Sequence, residues 1–194
     1  CVCWTRYTAF RSPVPAALYI RKLKGMDFNA FIKEIQCLAK KLINSAEPDE
    51  IKYLKEVESM LRTVTDLTEF DLENTEVKKR GNGWFWSTVA DAMPIYAIKL
   101  NLLKGGFLPP HDHDGYIGLV YVLKGRVRIV TYSQIFKGDN LTFKKIEDNI
   151  LTSGDCSYVL LESENVHEIH DVSGGSEVLD LLTIFHGNGE SKEI

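Results

Sequence analysis

From residue 28 onward, apolar side chains recur every three or four positions. Phe28, Phe31, Ile32, Ile35, Leu38, Ala39, Leu42 and Ile43 fall on one helical face, with Lys33, Lys40 and Lys41 off it. This spacing predicts an amphipathic helix that begins after Asp27 and breaks at Asn44-Ser45. Pro48 suits the first turn of a second helix, whose stripe is Ile51, Leu54, Val57, Leu61 and Val64. A short third helical stretch is expected over 66–72. Beyond residue 83 the period changes. Short apolar runs at 84–89, 95–103, 118–123, 127–132, 141–146, 156–161, 166–170 and 178–184 are separated mostly by Gly, Asn and Asp, and read as strands. Closely spaced short strands predict an all-β sandwich or barrel. The expected division is an irregular segment over 1–25, a helical region over 26–76 and a β-barrel over 77–194. The helical stripes are read as packing faces against the rest of the fold.

Composition narrows the function classes. A chain of 194 residues is long enough to bury about 70% of its unfolded surface without disulfide staples. The net charge of −4 and the lack of a Lys/Arg-rich run leave no electrostatic footprint for nucleic acid. No apolar run reaches ~18 residues, so no membrane span is expected. Arg6, Arg11, Pro13 and Pro15 interrupt the first 25 residues, which predicts no secretory leader. Cysteines at 1, 3, 37 and 156 form no spaced framework, in keeping with a reducing compartment. We therefore expect a cytoplasmic monomer.

The candidate chemistry lies in histidines. His111 and His113 follow Pro109-Pro110, which excludes helix there, and an i, i+2 pair in extended chain points to one face. His167 and His170 lie three apart, so strand parity lets only one of them join the pair. Three imidazoles from two distant segments form a metal-ligand set with positions left open for chemistry.

Gly105, five residues, His111-x-His113, four residues, Gly118, six residues and Gly125 resemble the first cupin motif, with Gly118 where that motif usually carries Glu. The stretch 154–167 resembles the second motif, lengthened by two residues and without its usual Pro and Gly; it selects His167 over His170. The resemblance implies a cupin (double-stranded β-helix, jelly-roll) barrel and a three-histidine metal site lacking a carboxylate ligand. Within cupins, the stretch 108–129, which includes His111-Asp112-His113, is similar to the cysteamine dioxygenase and plant cysteine oxidase family. So are Glu164-Asn165-Val166-His167-Glu168-Ile169 and Asp180-Leu181-Leu182. The similarity covers roughly residues 84–186. It implies Fe(II) held by His111, His113 and His167, and insertion of O2 into a thiol to give a sulfinate. The implied partners are a small aminothiol, or the N-terminal cysteine of a peptide, and O2.

Charge supports the pairing of this ligand set with a thiol. Three neutral imidazoles leave Fe(II) uncompensated, and a thiol that ionises there supplies the missing negative charge. Asp180 matches an aspartate implicated in the family's activity. His186 stands where the family has a tyrosine, and the two prolines before that tyrosine are replaced. Asp180 and His186 are the candidate catalytic residues, each with a structural role as its alternative. Two rival functions stay open: another metal-dependent cupin enzyme, such as a lyase, isomerase or carbon-oxidising dioxygenase, and a cupin that binds a small molecule without turnover.

Overall fold

The helices form where the apolar stripe and the caps agree. In the computed structural model, which describes residues 25–67, 78–80, 83–113, 115–137, 140–161 and 166–185, helix α1 spans Phe28–Ile43. The Asp27 carboxylate accepts from the Ala30 N–H at 2.8 Å and caps its first turn. Helix α2 spans Glu50–Leu61, capped by Asp49, which accepts from the Lys52 N–H at 2.9 Å. The second helix thus starts after Pro48, because Asp49 takes the cap position. Ile51 is exposed, and Tyr53 fills the core position expected of it. Asp66 and Leu67 are not helical; the rest of the expected third helix lies outside the described residues.

Ten strands follow: β1 (Lys78–Arg80), β2 (Trp84–Ala92), β3 (Ile95–Leu103), β4 (Phe107–Asp112), β5 (Tyr116–Lys124), β6 (Arg126–Lys137), β7 (Asn140–Thr152), β8 (Cys156–Val159), β9 (Val166–Asp171) and β10 (Gly175–Ile184). They form two antiparallel sheets, ordered β1-β2-β3-β10-β5-β8 and β4-β9-β6-β7. The pairing is nested: β6 with β7, β5 with β8, β4 with β9 and β3 with β10. Successive pairs alternate between the sheets. That is one long hairpin wound into a double-stranded β-helix, the jelly roll of cupins.

The first sheet is buried on both faces. Val178, Val120, Leu100 and Leu102 face the barrel interior, against Val127, Ile129 and Ile169 of the second sheet. On the outer face Ile95, Ala97, Ile117, Leu119, Leu179 and Leu181 pack against Phe31, Ile35, Leu54, Val57 and Leu61 of the helices. Two-sided burial explains why β5 reads as a continuous apolar run rather than an alternation. A buried hydrogen bond of 2.7 Å between the Tyr53 hydroxyl and Thr183 ties α2 to β10. Trp84 and Trp86 belong to the interior packing. Among the described residues no helix is long and apolar enough to cross a membrane.

Asp171 fixes the end of the barrel next to β4. Its carboxylate accepts from the Ser176 hydroxyl at 2.6 Å and from the backbone N–H groups of Gly105, Gly174 and Gly175 at 3.0–3.1 Å. Burial works against its charge, but these donors hold the carboxyl well below the usual carboxylate range. Gly106 has to be glycine for a different reason: a Cβ there would lie 2.2 Å from the Gly83 carbonyl oxygen.

Candidate metal centre

The two prolines aim the histidines. On β4, Leu108 pairs with Ile169 and His111 with His167, so Pro109 and Pro110 together oppose the single residue Glu168. Proline has no N–H for the ladder, and the strand accommodates the pair as a bulge. Leu108 packs with the interior cluster, so strict alternation would turn residues 110 and 112 inward. The extra residue reverses that parity and turns His111 and His113 inward instead. β9 supplies the third imidazole from across the ladder.

The three rings converge. The Nε2 atoms of His111, His113 and His167 form a triangle with sides of 3.2, 3.0 and 3.0 Å. His113 and His167 are each 1% exposed and His111 6%. His111 donates its Nδ1 proton to the Pro109 carbonyl at 2.9 Å, which leaves the Nε2 lone pair directed at the centre. Burial, and after it the neighbouring imidazoles, push the pKa values of His113 and His167 well below the ordinary histidine value. Neutral rings with lone pairs this close repel each other unless a cation lies among them. The Tyr116 ring meets His113 edge-on, at 4.8 Å between centroids and 81° between planes, and fixes that ring from behind.

The spacing fits a metal ion. Three nitrogens about 2.1 Å from a common ion stand ~3.0 Å apart at right angles and ~3.4 Å apart at tetrahedral angles. The observed 3.0–3.2 Å lets one ion lie within reach of all three nitrogens, and three protein ligands would leave further positions open, as in the facial sites of non-haem iron. Among the described residues only these three side chains form a cluster able to hold a metal.

His170 does not join it. Its ring stacks on Phe107 at 5.4 Å and its Nε2 lies 3.4 Å from the Glu168 carboxylate, on the opposite face of β9. Asp180 has the interior parity of Val178 and pairs with Val120 and Ile98. It is 4% exposed, and its Oδ1 has no hydrogen-bond partner among the described residues. Burial alone pushes its carboxyl up to about 7. Gly118 lies beside it on β5: a Cβ at Gly118 would meet Leu182 Cδ2 at 2.9 Å and Asp180 Oδ1 at 3.8 Å. The position that carries Glu in the motif is thus closed to any side chain without repacking. His186 and Asp114 lie outside the described residues. Cys156 is half-buried; burial and the adjacent Glu58 push its thiol up to about 12, so it is no nucleophile.

One feature of the second sheet went unseen in the sequence. A cleft of about 160 Å3 opens between β7 and β8, where the two sheets part, lined by Ile129, Thr131, Glu147, Asn149, Leu151 and β8. Thr131 pairs directly with His167 on one side and with Glu147 on the other. His111, His167, Thr131 and Glu147 therefore form one row across the whole second sheet. Thr131 was legible as the polar member of an inward series with Val127 and Ile129. Glu147 was not, because a register shift at Ile146 reverses the parity of β7.

No protein-family model matches the chain, and no curated protein does. Among solved structures it is similar to KdgF from Halomonas sp., at 18% identity over 59% of this chain and 91% of that one, TM-score 0.47. It is also similar to an oxalate oxidase, at 14% identity over 63% of this chain and 61% of that one, TM-score 0.49. An RmlC-like cupin from Shewanella frigidimarina is 20% identical over 58% of this chain and 86% of that one, TM-score 0.43. The fold and the buried histidine triad together define a cupin-type barrel with a candidate metal centre.

Proposed function

We propose that this protein is a non-haem iron thiol dioxygenase that converts RSH and O2 into RSO2H. The observation that carries the reading is the facial set of three neutral imidazoles, with no carboxylate in the cluster among the described residues. His111, His113 and His167 are the ligands. Iron(II), when bound, supplies the Lewis acidity that ionises the thiol and the redox chemistry that activates O2. The protein supplies the rest. Neutral imidazoles leave the centre positive, which favours an anionic thiolate over a neutral ligand. The burial of the three histidines, with His113 and His167 each 1% exposed, limits water at the reacting sulfur. Asp180, with its carboxyl raised to about 7, is protonated in a substantial fraction at neutral pH. In that form it donates a hydrogen bond to the substrate or returns the thiol's proton to the product. Gly118 keeps the space beside Asp180 clear of a fourth ligand.

Metal analysis of protein purified without added metal tests the first half of this reading, with iron the expected metal. Oxygen uptake with cysteine, cysteamine, 3-mercaptopropionate and Cys-initiated peptides tests the second. The expected product gains two oxygen atoms on sulfur. Zinc or nickel in place of iron, together with no thiol-dependent oxygen uptake, refutes it.

A further inference from the structure

The cleft between β7 and β8 ends on an unneutralised carboxylate. β7 carries two adjacent acids that face opposite ways. Asp148, on the outer face, is held by Arg128 at 2.6 Å and Lys145 at 2.9 Å. Glu147, on the cleft side, has no cation among the described residues; one oxygen accepts from the Asn149 amide at 3.1 Å. Asn149 lines the same cleft, so its amide orients the carboxylate without cancelling the charge.

Glu147 is also in line with the metal centre. It shares the row His167–Thr131–Glu147, and neighbouring strands lie about 4.8 Å apart, so the Cα atoms of Glu147 and His167 are about 10 Å apart. Thr131, 3% exposed and placed between them, keeps that interval short and polar. The His167 ring with its metal and the Glu147 side chain take up most of that interval, and an ammonium two or three bonds from a thiol at the histidine end bridges the rest. A thiol with a carboxylate at the same place meets a like charge.

We infer that Glu147 is the specificity-determining residue for a primary ammonium group on the substrate, and that the β7–β8 cleft is where that part of the substrate docks. This inference rests on the thiol dioxygenase reading for the sulfur end of the substrate. Two sources share the chemistry, a free aminothiol and a peptide with N-terminal cysteine. Both carry an ammonium near the thiol, and amines of this kind stay largely protonated at neutral pH.

Anaerobic binding titrations of the iron-loaded full chain test it, with cysteamine, 3-mercaptopropionate and a Cys-initiated tetrapeptide as probes. Glu147 is exposed, so substitution leaves the fold intact. Glu147→Gln is expected to weaken cysteamine and the tetrapeptide about fivefold, the scale of a solvent-screened ion pair. Binding of 3-mercaptopropionate should hold or tighten. Glu147→Lys should reverse the preference, with 3-mercaptopropionate bound more tightly than cysteamine. Whichever ammonium thiol binds the unaltered protein more tightly names the source. A change of less than twofold for both ammonium thiols, or an equal loss for all three probes, overturns the inference. Oxygen uptake separates it from the reading beneath it. Glu147-dependent binding without oxygen uptake leaves the inference standing and refutes the dioxygenase. Uptake with cysteamine that is indifferent to Glu147 does the opposite.

Discussion

Replacing Asp180 with asparagine should remove that residue's own share of the protein's pH-dependent stability. Asp180 is fully buried, and burial alone raises its carboxyl from 3.8 to about 7. Between those two values the folded protein holds a proton that the unfolded chain has released. Stability therefore falls as pH rises through this window, by about 1.4 kcal/mol per pH unit. The full interval of about three units amounts to about 4 kcal/mol, an upper bound because relaxation and water entry soften burial. His113 and His167 act with the opposite sign in the metal-free protein. Their folded pKa values lie below the unfolded value of about 6.5, so their contribution is lost as pH falls below it. The two slopes overlap, and a single pH–stability curve of the wild type cannot assign them. The difference between Asp180→Asn and wild type can, since both share the histidines. Urea unfolding of chelator-treated protein at half-unit steps from pH 4.5 to 8.5 measures it. Asparagine resembles the protonated acid, so at pH 4.5 the two proteins should differ by only about 1 kcal/mol. By pH 8.5 the variant should be the more stable by about 2–4 kcal/mol. A difference that stays constant within about 1 kcal/mol across the range refutes the argument, because it means that Asp180 ionises in place at no cost.

Three further outcomes are expected. Iron(II) at one hundred times its dissociation constant should stabilise the anaerobic protein by about 2.7 kcal/mol, a Tm rise of about 5–10 °C. His167→Ala should abolish that rise and His170→Ala should keep it; the reverse pattern in differential scanning fluorimetry refutes the ligand assignment. Gly118→Ala places a Cβ 2.9 Å from Leu182 and should cost about 1–3 kcal/mol by denaturant titration, with Leu182→Val in the same chain recovering part of the loss. Asp171→Ala strands the N–H groups of Gly105, Gly174 and Gly175 and should cost about 3 kcal/mol or more, read in the same titration.

The parts of this molecule that were legible in the sequence are those governed by local rules. The helical stripe of α1 survived into the structure because nearly all of it packs into one cluster with α2 and the outer face of the first sheet. Alternation, which let only one of His167 and His170 join the pair, holds because β9 keeps a two-residue period without interruption. Where a strand departs from that period, the reading fails. At Pro109-Pro110 the departure announces itself, since two residues without N–H groups cannot sit quietly in a ladder, and the bulge they make is what turns His111 inward. At Ile146 nothing in the sequence marks the shift. The residue is β-branched and apolar, as good strand residues are, and only the pairing with β6 shows that it is the extra one. The consequence is functional: the unmarked shift turns Glu147, which an uninterrupted alternation from Phe143 would place on the outer face, into the cleft beside Thr131. One bulge brings the candidate metal ligands together, and the other turns a carboxylate toward the cleft. The first could be read from proline's chemistry, whereas the second depends on a partner strand and becomes visible only once the barrel has closed.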